Sequence, residues 1–528
     1  MRRLLMRAYI SPLDTFTTQD IILRDRIGTN SGNMLYAFSV MRTLMTEDTV
    51  IDIDNYYAER GLWTNEDIER INSEYDAFIL PLADAFRSDF RMQLRDLTNF
   101  IKKLTIPVYL IGMGARLNQC NFGHPYDYDK EAEDFIRAVL DKTTIIGVRG
   151  HLTAGYFTRL GFKEEQDFTV IGCPSLFTYG EHLTQKPFEL RPDSRISVNY
   201  SSWVPMFTVL TIWDVIERYP NSLFVGQNST ELESLYFGID NPDFAAKRAR
   251  VYEYLANNPN PDFSIEGHEE CHIDKWTNRV YQQDRMRFFT DVPSWLNYMK
   301  DIDISFGARL HGNITAILAG TPAVIIAKDG RIIELCKYHN LPSLTYRQVP
   351  YQTRFEDILE QVDLTSHLKT HKEKFGHFID FLDKNGLEHI YKEDRSRKDA
   401  PMDSKLPPPA EPVKPFVSLS DAEKIQRLQE QYQLCAEYGK SVKSSRHKFA
   451  RKSNKLDSEL KATKTQLTDK KKELADCKEV LKKTQSELKS VTKTLEKTQE
   501  HVAKLEKLPS YRVYKGAKKI VKKVRKKS

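Results

Sequence analysis

What this chain lacks is informative. It contains no apolar run approaching the roughly 18 residues that a membrane-spanning helix needs, so none is expected. Its six cysteines, Cys120, Cys173, Cys271, Cys336, Cys435 and Cys477, show no paired spacing. That excludes a disulfide scaffold and suits a reducing compartment. The opening Met1–Arg7 is basic but has no apolar centre, so it does not read as a secretion signal, and the cytoplasm is the expected location. Acid is missing from the last stretch: from Tyr511 onward there are nine Lys or Arg and no Asp or Glu, leaving 70 basic against 73 acidic residues before it. The basic pI therefore belongs to a tail. Large apolar side chains thin out after about residue 400, which explains a mean hydropathy of −0.53 in a chain that is 40% apolar.

What is present reads as α/β. Short β-branched runs alternate with segments of helical period: Thr49–Ile53, Ala77–Leu80, Val108–Gly112, Thr144–Val148, Thr169–Gly172, Ile196–Asn199, Leu223–Val225, Ile302–Phe306 and Ala323–Ala327. These are too many for one simple sheet, and Arg191-Pro192-Asp193 marks a boundary. The expected organisation is a Rossmann-like domain over 1–190, a second over 191–395 with closing helices, a proline-rich linker over 397–418, a helical coiled-coil region over 419–508 and a basic amphipathic tail over 509–528. Leu460, Leu467, Leu474, Leu481, Leu488 and Leu495 recur every seven residues, continued by Val502, with Leu456, Thr463, Lys470, Cys477, Thr484, Val491, Thr498 and Leu505 as a weaker second seam. A helix from about 450 to 508 would extend on the order of 85–90 Å. A solvated single helix is the plainer alternative. After Pro509, the residues Val513, Ala517, Ile520, Val521 and Val524 fall on one face of a Lys- and Arg-rich helix. That pattern suits an anionic membrane surface at the inner face of the membrane better than nucleic acid, because the residues on that face are aliphatic rather than aromatic; a solubilising tail is the plainer alternative.

Chemistry concentrates in Asp301–Asn313. A buried strand ends in Gly307-Ala308-Arg309-Leu310-His311-Gly312, a glycine-bounded turn into a helix, followed by another buried strand. Ligands bind at such strand ends in open α/β sheets. Arg309 offers a charged planar fork and His311 a proton-transfer group near neutrality. The pair suits an enzyme acting on a small anion, in a cleft between the two halves. The string His268-Glu269-Glu270-Cys271-His272 matches a zinc-protease pattern, but Asn258-Pro259-Asn260-Pro261 and Gly267 precede it, so no metal is expected.

Four ordered segments resemble the polysaccharide pyruvyl transferase family: Gly28-Thr29-Asn30-Ser31-Gly32-Asn33-Met34-Leu35; Ile146-Gly147-Val148-Arg149-Gly150-His151-Leu152-Thr153 with Leu160-Gly161-Phe162; Val170-Ile171-Gly172-Cys173-Pro174-Ser175-Leu176; and Gly307–Gly312 with Leu318-Ala319-Gly320-Thr321-Pro322 and Glu334. The chain departs at Ser31-Gly32-Asn33-Met34, which lacks the acidic residue that often follows the glycine. The resemblance implies two Rossmann-like halves related to the GT-B architecture. It also implies transfer of a pyruvyl group from phosphoenolpyruvate to two sugar hydroxyls as a cyclic ketal, with no cofactor. It carries His311 and Arg309 over as catalytic residues, and Arg149, Asn33, Gly32, Gly312 and Glu334 as substrate-binding residues. Expected partners are phosphoenolpyruvate, a sugar or lipid-linked oligosaccharide acceptor of a cell-envelope or exopolysaccharide pathway, a coiled-coil partner or second copy, and a membrane surface. The competing readings are a nucleotide-sugar glycosyltransferase of the same architecture and a non-catalytic coiled-coil scaffold. Simpler roles also exist for single residues: an ion pair for Arg149, a core position for His311 and a helix cap for Asn33.

Overall fold

The computed structural model describes residues 1–116, 125–200, 206–238, 278–350, 353–507 and 509–524. It forms one compact unit, Met1–Leu434, and a second, Cys435–Ser528. The first unit is α/β with parallel sheets. Its strands are β1 (Arg2–Met6), β2 (Thr49–Ile53), β3 (Ala77–Pro81), β4 (Val108–Ile111), β5 (Ile146–Val148), β6 (Phe168–Val170), β7 (Ile196–Asn199), β8 (Leu223–Gly226), β9 (Met286–Phe288), β10 (Ile304–Gly307), β11 (Ala323–Ala327) and β12 (Ser343–Thr345). One sheet has the order β2-β1-β3-β4, and β5-β6 continues beside it through a single parallel bridge, Met113 to Val148. The other has the order β12-β11-β10-β7-β8-β9. All the pairings are parallel. The continuous apolar runs explain this arrangement. Ala77–Pro81 and Ala323–Ala327 are buried along their whole length, as strands covered by helices on both faces must be.

Strand order reverses between β1 and β3 in the first sheet and between β7 and β10 in the second. Such reversals open a crevice beyond the strands' carboxyl ends, and the candidate site lies at both. Three strands escaped the sequence reading. β1 carries exposed Arg2 and Arg3 ahead of buried Leu4-Leu5-Met6, so it looks like a basic tail. β9 and β12 are three-residue edge strands.

Two later segments lie against the body. The helix His371–Lys384 stacks Phe378 on Phe177 of the first half, and Asn385 just beyond it accepts hydrogen bonds from the Thr144 and Ile145 backbone N–H groups at 3.1 Å. The proline-rich stretch expected as a linker is also attached. Val413 pairs with Phe288 through two backbone hydrogen bonds of 3.2 and 2.8 Å, covering the edge of β9. Asp403 holds the fully buried Arg42 at 2.7 and 2.8 Å.

A helix of 87 residues, Asp421–Lys507, begins on the body, where Arg427 lies 4.1 Å over the Tyr236 ring. A further helix, Pro509–Val524, starts with proline at its first position, where the missing N–H is not needed. Over 464–507 the side chains face solvent, including Leu467, Leu474, Leu481, Leu488 and Leu495. Among the described residues no helix is long and apolar enough to cross a membrane.

Candidate active site

The carboxyl ends of both sheets open onto one cavity of about 570 Å³. Arg7 follows β1, Asp84 follows β3, Arg149 follows β5, Gln227 follows β8, Arg309 follows β10, and Lys328 and Arg331 follow β11; all of them line it. The two halves are tied together at this cavity. The loop before the helix Gly32–Leu44 donates from the Ser31 N–H to the Gln227 carbonyl at 2.8 Å, and Asn30 bridges Asn228.

The cavity is strongly cationic. Among the described residues, nine Arg or Lys side chains line it against three carboxylates, Asp25, Glu59 and Asp84. Asp84 alone serves three guanidiniums: Arg331 at 2.6 Å, Arg116 at 2.7 Å and Arg87 at 3.2 Å. Glu59 pairs with Arg7 at 2.5 Å. Arg309 is fixed by its backbone N–H to Asn199 Oδ1 at 2.7 Å and by its Nε to the Tyr200 carbonyl at 2.8 Å, whereas its carboxylate partner, Glu231, stands back at 3.9 Å. Arg149 is buried, and among the described residues its guanidinium has neither an ion pair nor a hydrogen bond; its buried Nε is an orphan donor. The ion pair that would make Arg149 merely structural is therefore not present among the described residues. A buried guanidinium with no hydrogen-bonded carboxylate among the described residues is costly, and it is suited to receiving an anion.

His311 sits in the midst of these arginines. Burial, followed by the fields of Arg149, Arg331 and Arg309, pushes its pKa down to about 3. As a residue type, histidine is expected to be a proton-transfer group near neutrality. The protein's own groups instead hold it neutral, because desolvation and the three neighbouring guanidiniums all disfavour the cation. Its Nε2 lies 4.0 Å from Cys173 Sγ. Gly32 is required by this imidazole: a Cβ there would be 2.5 Å from His311 Nδ1.

The other expected residues are placed as follows. Asn33 lines the cavity but does not cap a helix; its amide donates to the Ile27 and Gly28 carbonyls at 3.0 and 2.9 Å, closing the loop in front of the helix. Gly312 lies behind the wall, where a Cβ would meet Gln227 Nε2 at 2.5 Å. Glu334 is also off the wall. It accepts from the Thr153 N–H and hydroxyl at 2.9 Å each, so a carboxylate from the second half caps the helix His151–Arg159 of the first. Burial raises its pKa to about 7 against the pull of Arg149.

The sequence reading missed Arg7, Asp84, Arg116, Lys328 and Arg331. Most of them obey the rule that pointed to Arg309, namely residues just past a strand's carboxyl end. Burial lowers Lys328 to about 7; Asp329 opposes that shift while Arg331, Arg309 and Arg116 add to it. Among the described residues no three histidine, cysteine or carboxylate side chains group as metal ligands would, and the string His268–His272 lies outside the described residues.

One comparison with known proteins agrees with the motifs. The family model for polysaccharide pyruvyl transferase matches residues 30–330, more than half of the chain. No curated protein matches. Among solved structures, the chain resembles an uncharacterised protein of Klebsiella pneumoniae, with 13% identity, TM-score 0.31, and 64% of this chain and 88% of that one covered. It also resembles the UDP-GlcNAc 2-epimerase of Methanocaldococcus jannaschii, with 8% identity, TM-score 0.34, and coverage of 72% and 99%. A third is the glycosyltransferase SnogD from Streptomyces nogalater, with 11% identity, TM-score 0.28, and coverage of 72% and 95%.

Proposed function

The chain belongs to the polysaccharide pyruvyl transferase family, and on that footing we propose that it moves a pyruvyl group from phosphoenolpyruvate onto two hydroxyls of an envelope or exopolysaccharide sugar, releasing phosphate. The observation carrying this reading is the buried Arg149, without an ion pair or hydrogen bond among the described residues, facing the same cavity as Arg309, with His311 among them. Phosphoenolpyruvate brings a carboxylate and a phosphate, and guanidinium forks are suited to both.

The chemistry balances with these groups. A proton added to the methylene carbon makes it a methyl group, and one sugar hydroxyl attacks the neighbouring carbon. Loss of phosphate leaves an oxocarbenium ion that the second hydroxyl closes into the ketal. Two hydroxyl protons are released: one replaces the proton spent on the methyl group and the other accompanies the phosphate. His311 is the proposed proton donor. The donor's negative charge offsets Arg149, Arg331 and Arg309, so the imidazole takes up its proton together with the substrate. The cationic helix Pro509–Val524 is suited to anionic lipid, which fits a lipid-linked acceptor.

The test is phosphate release from phosphoenolpyruvate in the presence of a sugar acceptor, combined with calorimetry of phosphoenolpyruvate binding in two buffers of different ionisation enthalpy. The expected result is proton uptake on binding, lost in His311→Gln, and turnover reduced at least about 10²-fold in that variant. Arg149→Ala is expected to raise KM for the donor. Undiminished turnover in both variants would remove the assignment.

A further inference from the structure

The solvent-facing stripe of the long helix points to a partner of one particular kind. We infer that residues 464–507 pair with the same segment of a second copy, side by side, parallel and in register. Leu467, Leu474, Leu481, Leu488, Leu495 and Val502 form one row of positions, and Lys470, Cys477, Thr484, Val491, Thr498 and Leu505 the row three residues later. Together they make the seam of a two-stranded coil. The leucines and valines of both rows remain between 48% and 65% exposed, more than a lone helix in water would keep on one face.

Charge selects the occupant and its direction. In a parallel pair, the residue before each leucine-row position faces, on the partner helix, the residue five positions later in sequence. This sets Glu473 against Lys478 of the second copy and His501 against Glu506, each occurring twice by symmetry. An antiparallel pair aligns like flank with like, bringing the Lys471 and Lys478 edge against its own equivalent. Lys470 is the poorest residue for the seam, but its ammonium turns 2.8 Å to Glu473 one turn on, which draws it towards the edge. A polar residue of this kind in the seam lowers stability and favours a single register.

Register makes the inference sharp. In a parallel, unstaggered pair Cys477 meets Cys477 of the second copy across the seam, and this thiol is free and exposed in the single chain. The experiment uses the full chain with Cys435→Ser, leaving one cysteine in the helix, under mild oxidation. The expected results are a mass twice that of the chain by sedimentation equilibrium and a disulfide-linked dimer on a non-reducing gel. Adding Cys477→Ser should abolish the linked band while the doubled mass persists, and Leu481→Asp with Leu488→Asp should return the chain to monomer. A monomer at the outset, a mass other than doubled, or a dimer that does not link through Cys477 would each overturn the proposal.

Discussion

A methyl group at Gly32 would stand 2.5 Å from Nδ1 of His311, closer than any real contact. Gly32→Ala must therefore displace the imidazole or the amino-terminus of the helix Gly32–Leu44. The expected outcome is a loss of turnover of about 10²-fold, the scale of an ångström-sized misplacement, with a stability cost of about 1–3 kcal/mol. Steady-state kinetics beside urea denaturation will check both figures. Gly114 has the same relation to Arg149: a Cβ there would meet Arg149 Cδ at 2.3 Å, so backbone bareness at a helix start and in a separate loop gives room to the histidine and to the Arg149 guanidinium. Glu334 acts at the same scale by another route. In Glu334→Ala the Thr153 N–H loses its buried acceptor, which is expected to cost about 1–3 kcal/mol as a shift in the urea midpoint; Glu334→Gln, which keeps an acceptor oxygen, is expected to cost less.

Among the elements, what could be read from sequence followed burial. Ala323–Ala327 was legible because both of its faces are covered and every residue is apolar. Arg2–Met6 was not, since its first two residues face solvent, Arg3 bonding Asp52 and Glu74, and only three apolar residues remain. Met286–Phe288 and Ser343–Thr345 are too short at the sheet edges to show any period. Missing β1 also hid Arg7, whose importance comes from following a strand. Arg149, Arg309 and His311 were visible as turn residues, and the structure gathers them around one cavity. Lys328 and Arg331 lay just past a strand that had been recognised, but flanking Asp329-Gly330 they resemble an ordinary helix start. The Glu334–Thr153 bond joins residues 181 apart in sequence and leaves no local trace. At this scale the helix Pro509–Val524 is expected to add binding to vesicles containing anionic lipid. Removing 509–528 should reduce co-sedimentation with such vesicles and leave phosphate release from soluble acceptor unchanged.

For the whole molecule, acid is the revealing variable. His311, His339, His367, His371 and His389 are all held below the ordinary histidine value, by burial first in each case, with His311 near 3 and His367 near 4. The unfolded chain binds these protons near pH 6.5 while the folded chain refuses them, so stability falls as pH drops below about 6.5. Among the described residues, three buried carboxyl groups act in the opposite sense. Asp54 and Glu334 are raised to about 7 and Glu231 is raised as well, so each favours the folded state at low pH and loses that contribution as pH rises through its folded value. Five groups outweigh three, and urea midpoints measured from pH 7.5 to 4.5 are expected to fall. A rising profile would overturn this balance in favour of the carboxyls. The strap formed by residues 400–413 sets a limit on how the protein can be shortened. A form ending near residue 395 would leave the backbone of Phe288 without Val413 and the sealed-in Arg42 without Asp403, a raw strand margin beside an uncompensated charge. Such a fragment is expected to precipitate on expression, whereas one carried through to Leu434 should remain in solution.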